Sequence, residues 1–212
     1  MSEKKPDYAG LVAARVQEEA EGQQQPAEEP KKLPIDYIIA CLNANRAGDV
    51  TLYAALHRGR FVFVHLWARW LRFNGHHWEE DINSSRSRAA VERVCEEYER
   101  IFDEAEEAKK DPESDLAKRV RKRLNTLRDK SGRENVLEMA AFHIDEPLAI
   151  YGDELDKQEY LLACPNGVIQ LATGECKDGK PEQYLLNACP VLWTGLDTPQ
   201  SQLRFFLILQ PR

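Results

Sequence analysis

No stretch of this sequence stays apolar for anything near the ~20 residues that a membrane-spanning helix needs. The last candidate, Phe205–Leu209, is far too short. A secretory h-region is missing from the start, and the five cysteines, Cys41, Cys95, Cys164, Cys176 and Cys189, contain no C-x-x-C pair. An odd number of scattered thiols without a secretion signal points to reduced side chains in the cytoplasm. Positive charge is also in deficit, with a formal net charge of -7. A field of that sign does not hold nucleic acid, so any such contact must come from a local basic patch. No G-x-S-x-G elbow surrounds a serine; Ser84, Ser85 and Ser87 precede a helix and read as caps. His143-Ile144-Asp145-Glu146 sets acids beside a histidine, but sequence neighbours do not make a catalytic site. There is no useful internal repeat.

What is present suffices for one domain of ordinary size: 212 residues, 42% hydrophobic and 31% charged. Residues 1–33 read as a flexible acidic leader. Tyr8, Leu11, Val12 and Val16 fit one short amphipathic helix, but Glu18–Pro30 is acidic, Gln-rich and interrupted by proline. The domain proper, 34–212, is organised around Leu161–Glu175. There Pro165-Asn166-Gly167 reverses the chain and pairs Leu161–Cys164 with Val168–Leu171 as a β-hairpin. Thr173-Gly174 ends the second strand, Glu175–Glu182 is a polar loop, and Tyr184–Trp193 reads as a further strand.

Upstream, Pro34 opens a helix carrying Tyr37, Ile38, Cys41 and Leu42 at helical spacing. Gly48-Asp49 offers a break and an N-cap for a second short helix through Leu52, Tyr53 and Leu56, which Gly59 stops. Phe61–Leu66 is a buried strand. Arg69–Phe73 and His76–Asp81 flank Asn74-Gly75, a two-residue hairpin signal. That register sets Phe73 opposite His76, Arg72 opposite His77 and Leu71 opposite Trp78. Leu71, Phe73 and Trp78 then share one face, while Trp70 and Arg72 share the other, in a three-stranded meander. Arg88–Lys110 reads as one helix with Val91, Val94, Cys95, Tyr98, Phe102 and Ala105 in its stripe. Asp111-Pro112 caps a basic helix with Leu116, Val120, Leu124 and Leu127 inward. Acidic helix and basic helix form an αα-hairpin. Ser131 and Glu134 match a capping box opening a third helix through Val136, Leu137 and Ala140. The fold class is therefore α+β: a helical hairpin and short helices packed with small antiparallel hairpins and a meander.

Chemistry-bearing patterns are few. Gly174–Lys180 has the G-x-x-x-x-G-K spacing of a phosphate-binding loop, but Pro181 replaces the magnesium-binding hydroxyl, and Glu175 and Asp178 would face phosphate. A polar turn explains it better. His57, His65, His76, His77 and His143 lack the local spacing that makes zinc ligands converge with Cys164, Cys176 or Cys189. No catalytic residue, metal ligand or cofactor is expected. Lys118, Arg119, Arg121, Lys122, Arg123 and Arg128 on the basic helix are the candidate nucleic-acid-binding residues, able to neutralise phosphates without reading sequence. Charge complementarity with the acidic helix is the competing explanation. Trp67, Trp70 and Trp78 lie close to Arg69 and Arg72, a mixture on which bases could stack. Trp78 is assigned to the core, and Trp70 is left open.

Gly48–Asp81 resembles the opening of the domain that sits just before the superfamily 3 helicase in phage and plasmid primase-helicases and their poxvirus relatives. Trp70, Gly75, Trp78 and Asp81 occupy its W-x-x-x-x-G-x-x-W-x-x-D positions. Ala141–Glu175 is similar to the family segment ending in N-G-V-x-x-L-x-T-G-E, matched at Asn166, Gly167, Val168, Leu171, Thr173, Gly174 and Glu175. The likeness covers roughly residues 43 to 209. It implies an accessory domain of DNA replication in a mobile element, with a primase module before it and an ATP-driven helicase after it. The leader is too short for a primase and the chain stops about where the helicase should begin, so neither enzyme is expected here. A piece of a longer protein, a truncated phage-type product and one part of a split replication protein are the three readings of that ending. Expected partners are a replicative helicase or primase module, a second copy, or DNA, and no membrane. The alternatives are an interaction module docking a helicase through Phe205–Leu209, and a small nucleotide-binding hydrolase using Lys180 and the histidines.

Overall fold

The computed structural model describes residues 32–196, with 143, 144 and 146 excepted. The proposed leader helix, His143 and Phe205–Leu209 lie outside the described residues. Helix α1 (Ile35–Asn43) follows Pro34 and buries Ile38, Cys41 and Leu42. Helix α2 (Asn45–His57) begins directly after Ala44, with Asn45 taking φ 56° at the junction. It runs straight through Gly48-Asp49, so these residues neither break nor cap a helix. Gly48 is needed for close approach instead: a Cβ there would stand 1.8 Å from the carbonyl oxygen of Cys41. Gly59, at φ 79°, follows the end of α2 as its sequence position suggests.

The first sheet has the order β3-β2-β1-β4: β1 (Phe61–Val64), β2 (Arg69–Phe73), β3 (Trp78–Glu80) and β4 (Ala149–Ile150). The meander is present, but its second hairpin is shifted by two residues, pairing Phe73 with Trp78, Arg72 with Glu79 and Leu71 with Glu80. The reason is the Asn74 side chain. Its Oδ1 accepts the N–H groups of His76 and His77 at 3.1 and 3.0 Å, and the Asn74 backbone N–H donates to His77 O at 3.0 Å. That closes a four-residue loop in place of the two-residue turn. A shift of two preserves the faces. Phe61, Phe63 and Trp70 pack into the helical core, while Val62, Val64, Leu71 and Trp78 form a second cluster with Phe73, Tyr184 and Leu186. Trp70, left open by sequence, is buried. Strand β4 lies parallel to β1 and has no counterpart in the sequence reading.

The segment expected to be one helix is three: α3 (Ser85–Ala89), α4 (Val91–Glu104) and α5 (Glu106–Lys110). Ala105 is extended at φ -83°, ψ 121°, and breaks the last two apart. Helix α6 (Asp115–Arg128) starts three residues later than Asp111-Pro112 implied, capped by Ser114, whose Oγ accepts the N–H of Ala117 at 3.3 Å. Asp111 instead closes the preceding turn, accepting the N–H of Glu113 at 2.8 Å through its carboxylate. Helix α7 (Lys130–Phe142) already includes Ser131, so the proposed capping box does not open it. Arg128 at the end of α6 reaches Glu92 at the start of α4, which fixes the antiparallel αα-hairpin.

A second sheet, β5 (Leu161–Cys164), β6 (Gly167–Gln170) and β7 (Glu175–Lys177), is antiparallel throughout. The organising hairpin exists with its register one residue tighter than the sequence suggests: Cys164 faces Gly167, and only Pro165-Asn166 form the loop. Two further expectations change. Glu175–Lys177 is a strand, and Tyr184–Trp193 is irregular apart from a single bridge between Ala188 and Ala163. The architecture is α+β.

Candidate nucleic-acid interface

Helix α6 follows from its sequence. Ser114 caps it, Asp115 lies in its first turn and Arg128 in its last, each matching the sign of the helix dipole. Leu116, Val120, Leu124 and Leu127 are buried as their spacing requires. Burial of such side chains stabilises by roughly 1.5–3 kcal/mol each.

The six basic side chains around that stripe do not form one surface. Arg123 points inward. Its Nε donates to Asp49 Oδ1 at 2.9 Å, and Nη2 stands 2.5 Å from Oδ2, a charge contact outside hydrogen-bonding angles. The Tyr98 hydroxyl donates to the same Oδ1 at 2.9 Å. Burial outweighs these bonds and holds the Asp49 carboxyl above the usual range, while burial and then Asp49 push the Tyr98 hydroxyl up. Arg128 is spent on the acidic helix, donating through Nε and Nη2 to Glu92 at 3.1 Å and through Nη2 to Glu99 at 2.7 Å. Arg119 pairs with Asp115 at 3.2 Å and donates to Asn43 at 2.7 Å. Arg121 pairs with Glu113 at 3.4 Å and lies over the Phe102 ring. Lys118 is 4.0 Å from Glu113. Lys122 is exposed and has no side-chain partner among the described residues.

These pairs differ in how readily a phosphate would replace them. Exposed pairs such as Arg119–Asp115 are worth about 0–1 kcal/mol, so their cations stay available. Breaking a buried pair by removing one partner costs about 3–5 kcal/mol, which ties Arg123 to the fold. The Trp and Arg mixture likewise dissolves. Trp70 and Trp78 are buried, Arg69 pairs with Glu80 and Arg72 with Glu79, and Trp67 alone of the three tryptophans is exposed, at 41%.

The other candidate patterns have ordinary structural roles. Gly174–Lys180 contains strand β7, Gly179 lies against the backbone of His76, and a 3₁₀ turn, Pro181–Gln183, follows where a phosphate-binding loop would open a helix. His57 is buried, with Nε2 3.0 Å from Ala90 O, and burial lowers its pKa to about 4. Among the described residues no group of three His, Cys, Asp or Glu side chains is arranged to hold a metal ion. No described helix is long and apolar enough to cross a membrane.

Sequence reasoning missed the burial of Asp49, read as an N-cap, and of His57, weighed only as a zinc ligand, and did not name Glu97; all three are buried. Glu97 lies between Val94 and Ile101 at helical spacing, a signal that it faces inward, and it is paired there with Arg93 and Arg100.

A family described as D5 N terminal like matches residues 50–207. The chain belongs to that family. It is the domain preceding the superfamily 3 helicase in primase-helicase proteins. No curated protein matches the sequence at a significant level. In this D5 N-terminal-like domain the motif residues hold the fold. The Trp78 indole N–H donates to Pro181 O at 2.9 Å, joining the first sheet to the segment that follows the second. Asp81 caps α3, accepting the N–H groups of Arg86 and Ser87 at 2.9 and 2.7 Å. That is the role the sequence had assigned to the serines. Asn166 exchanges two hydrogen bonds with the Trp193 backbone, at 2.8 and 2.9 Å.

Proposed function

We propose that this D5 N-terminal-like domain is a positioning module of a DNA replication system: acting in the cytoplasm, it holds priming and unwinding machinery together and catalyses neither step. The observation that carries this is the family match over residues 50–207, to a domain whose place is next to a helicase. The structural work done by Trp78, Asp81 and Asn166 supports it, because the family's motif is spent on shape.

DNA contact, on this reading, falls to Lys118, Arg119 and Arg121, whose acidic partners are exposed, and to the exposed Lys122, and leaves out Arg123 and Arg128. Replacing those four by alanine lowers the salt dependence of DNA binding by roughly 0.9 in log–log slope for each phosphate that is no longer neutralised. An unchanged slope removes α6 from the interface. The coupling role is tested with the primase and superfamily 3 helicase of the same system on a forked template. Primer synthesis linked to unwinding is expected to need this domain, while each activity measured alone does not. ATP hydrolysis or primer synthesis by the purified chain itself would overturn the proposal.

One observation favours a second reading, in which the domain docks the helicase without touching DNA. Leu66 at 61%, Tyr151 at 61% and Phe142 at 54% exposure lie with Trp67 at one end of the first sheet. The Leu66 N–H donates to Tyr151 O at 3.0 Å, and the Phe142 ring is 5.0 Å from His65. Trp67→Ala with Tyr151→Ala is expected to abolish helicase capture and spare DNA binding on this reading; retained capture excludes it.

A further inference from the structure

Three cysteines far apart in sequence share one face of the second sheet. Leu162, Ile169 and Cys176 are cross-strand partners, and Cys164 pairs with Gly167, so side-chain alternation places Cys164 and Cys176 on the same face. On the other edge of β5 the chain returns at Ala188, which bridges Ala163 in parallel, and the Cys189 N–H donates to Ala163 O at 2.8 Å. Cys189 is therefore the register neighbour of Cys164, and their side chains leave in the same direction. Neighbouring strands lie about 4.8 Å apart, within the roughly 4.4–6.8 Å between Cα atoms that a disulfide spans. Neither cysteine is in a disulfide, and Cys189 lies near enough to help push the Cys164 thiol up. Cys176 is engaged elsewhere. It sits over bare Gly167, where a Cβ would come within 2.6 Å of its sulfur, with Sγ 3.8 Å from Asn166 O.

We propose that Cys164 and Cys189 form a reversible disulfide by exchange with a small disulfide of the glutathione class, clamping the segment from Ala188 to Trp193 onto β5. This modification site is independent of the positioning role.

Cys189 is half-exposed and Cys164 is buried, which sets the order of events. The Cys189 thiolate attacks one sulfur of the small disulfide, forming a mixed disulfide and releasing one small thiolate. Cys164 then gives its proton to solvent and attacks Cys189 Sγ, forming the protein S–S bond and expelling the second small thiolate. The two protein thiols lose two electrons and two protons, and the small disulfide takes up both to become two thiols. Burial, then the neighbouring Cys189 and Cys176, push the Cys164 thiol up to about 11. The second step therefore accelerates as pH rises from neutrality. The clamp reinforces one already built, since Asn166 holds Trp193 a few residues further along.

The test treats the full chain with oxidised glutathione, blocks remaining thiols and maps peptides by mass spectrometry without reduction. A Cys164–Cys189 link is expected in the wild-type chain and in Cys176→Ser, reversed by dithiothreitol and absent from Cys189→Ser. The half-exposed position of Cys189 keeps that variant folded, which circular dichroism checks. A Cys164–Cys176 link, or only glutathione adducts in the Cys176→Ser chain, overturns the proposal. The clamp also requires a higher Tm for the oxidised chain than for the reduced one; equal values overturn that part.

Discussion

Asp49 on α2 and Arg123 on α6, 74 positions apart in sequence, meet as a buried ion pair in which Nε donates to Oδ1 at 2.9 Å. The pair joins helices from the two halves of the helical layer, and Tyr98 on α4 closes it. Replacing Arg123 by Met leaves a buried carboxylate without its cation, a loss of about 3–5 kcal/mol. Adding Asp49→Asn should recover a good part of that, because the remaining amide is neutral. Urea unfolding of both singles and the double variant measures the coupling. Additive losses would mean that the two residues do not act as a unit.

His57 makes stability depend on acid. Its folded pKa, lowered by burial from 6.5 to about 4, lies below that of the unfolded chain. Between those values the unfolded state binds more protons, so stability is full above about 6.5 and is lost as pH falls toward 4. The shift corresponds to about 3 kcal/mol. His57→Gln should flatten that part of the stability curve while lowering its plateau. A wild-type curve without a slope between pH 6.5 and 4 would show that His57 titrates normally.

How far sequence reaches is visible in these residues. Arg123 lies three positions after Val120 and four before Leu127, so its inward direction could be read from the stripe. Its partner could not, because which helix lies opposite is decided by packing. Both hairpins were legible, since Asn74-Gly75 and Pro165–Gly167 carry turn chemistry, but their registers were set by side-chain hydrogen bonds and by the space over Gly167. Strand β4 has two residues, too few for a periodic signal. The apolar run Tyr184–Trp193 failed to become a strand because its backbone is satisfied elsewhere. Leu185 O accepts the Trp78 N–H at 2.7 Å, and the Asp156 carboxylate accepts the N–H of Leu186 at 2.7 Å. The basic helix was located correctly, and its charge looked freer than it is because the acids that pair with it come from distant segments and from its own first turn.

Asp81→Ala should destabilise by about 0.5–2 kcal/mol, the usual worth of a side-chain N-cap. The carboxylate is buried and receives two backbone N–H groups at the start of α3, together with the Ser85 hydroxyl at 3.4 Å. Asp81→Asn keeps one acceptor and should lose less. Ser84→Ala should lose almost nothing, since the Ser84 side chain makes no capping bond. Thermal melting of the three variants gives the order, and a larger loss for Ser84→Ala than for Asp81→Ala would refute the assignment.

Asn166 is a local clasp, and its removal should be felt locally. Its Nδ2 donates to Trp193 O at 2.8 Å and its Oδ1 accepts the Trp193 N–H at 2.9 Å, so one side chain satisfies both backbone groups of a residue outside any strand. Both bonds are exposed to solvent, and a typical net contribution is about 0.5–1.5 kcal/mol each. Asn166→Ala should therefore shift global unfolding by no more than about 1–3 kcal/mol, the sum of two such bonds, while the Trp193 amide becomes open to exchange. Asn166→Asp keeps the acceptor for the Trp193 N–H but loses the donor to its carbonyl, so it should protect that amide partly. Hydrogen exchange read at single-residue resolution separates the cases. If the Trp193 amide exchanges equally fast in all three chains, the segment is held by something other than Asn166, and the motif asparagine serves only the turn that contains it.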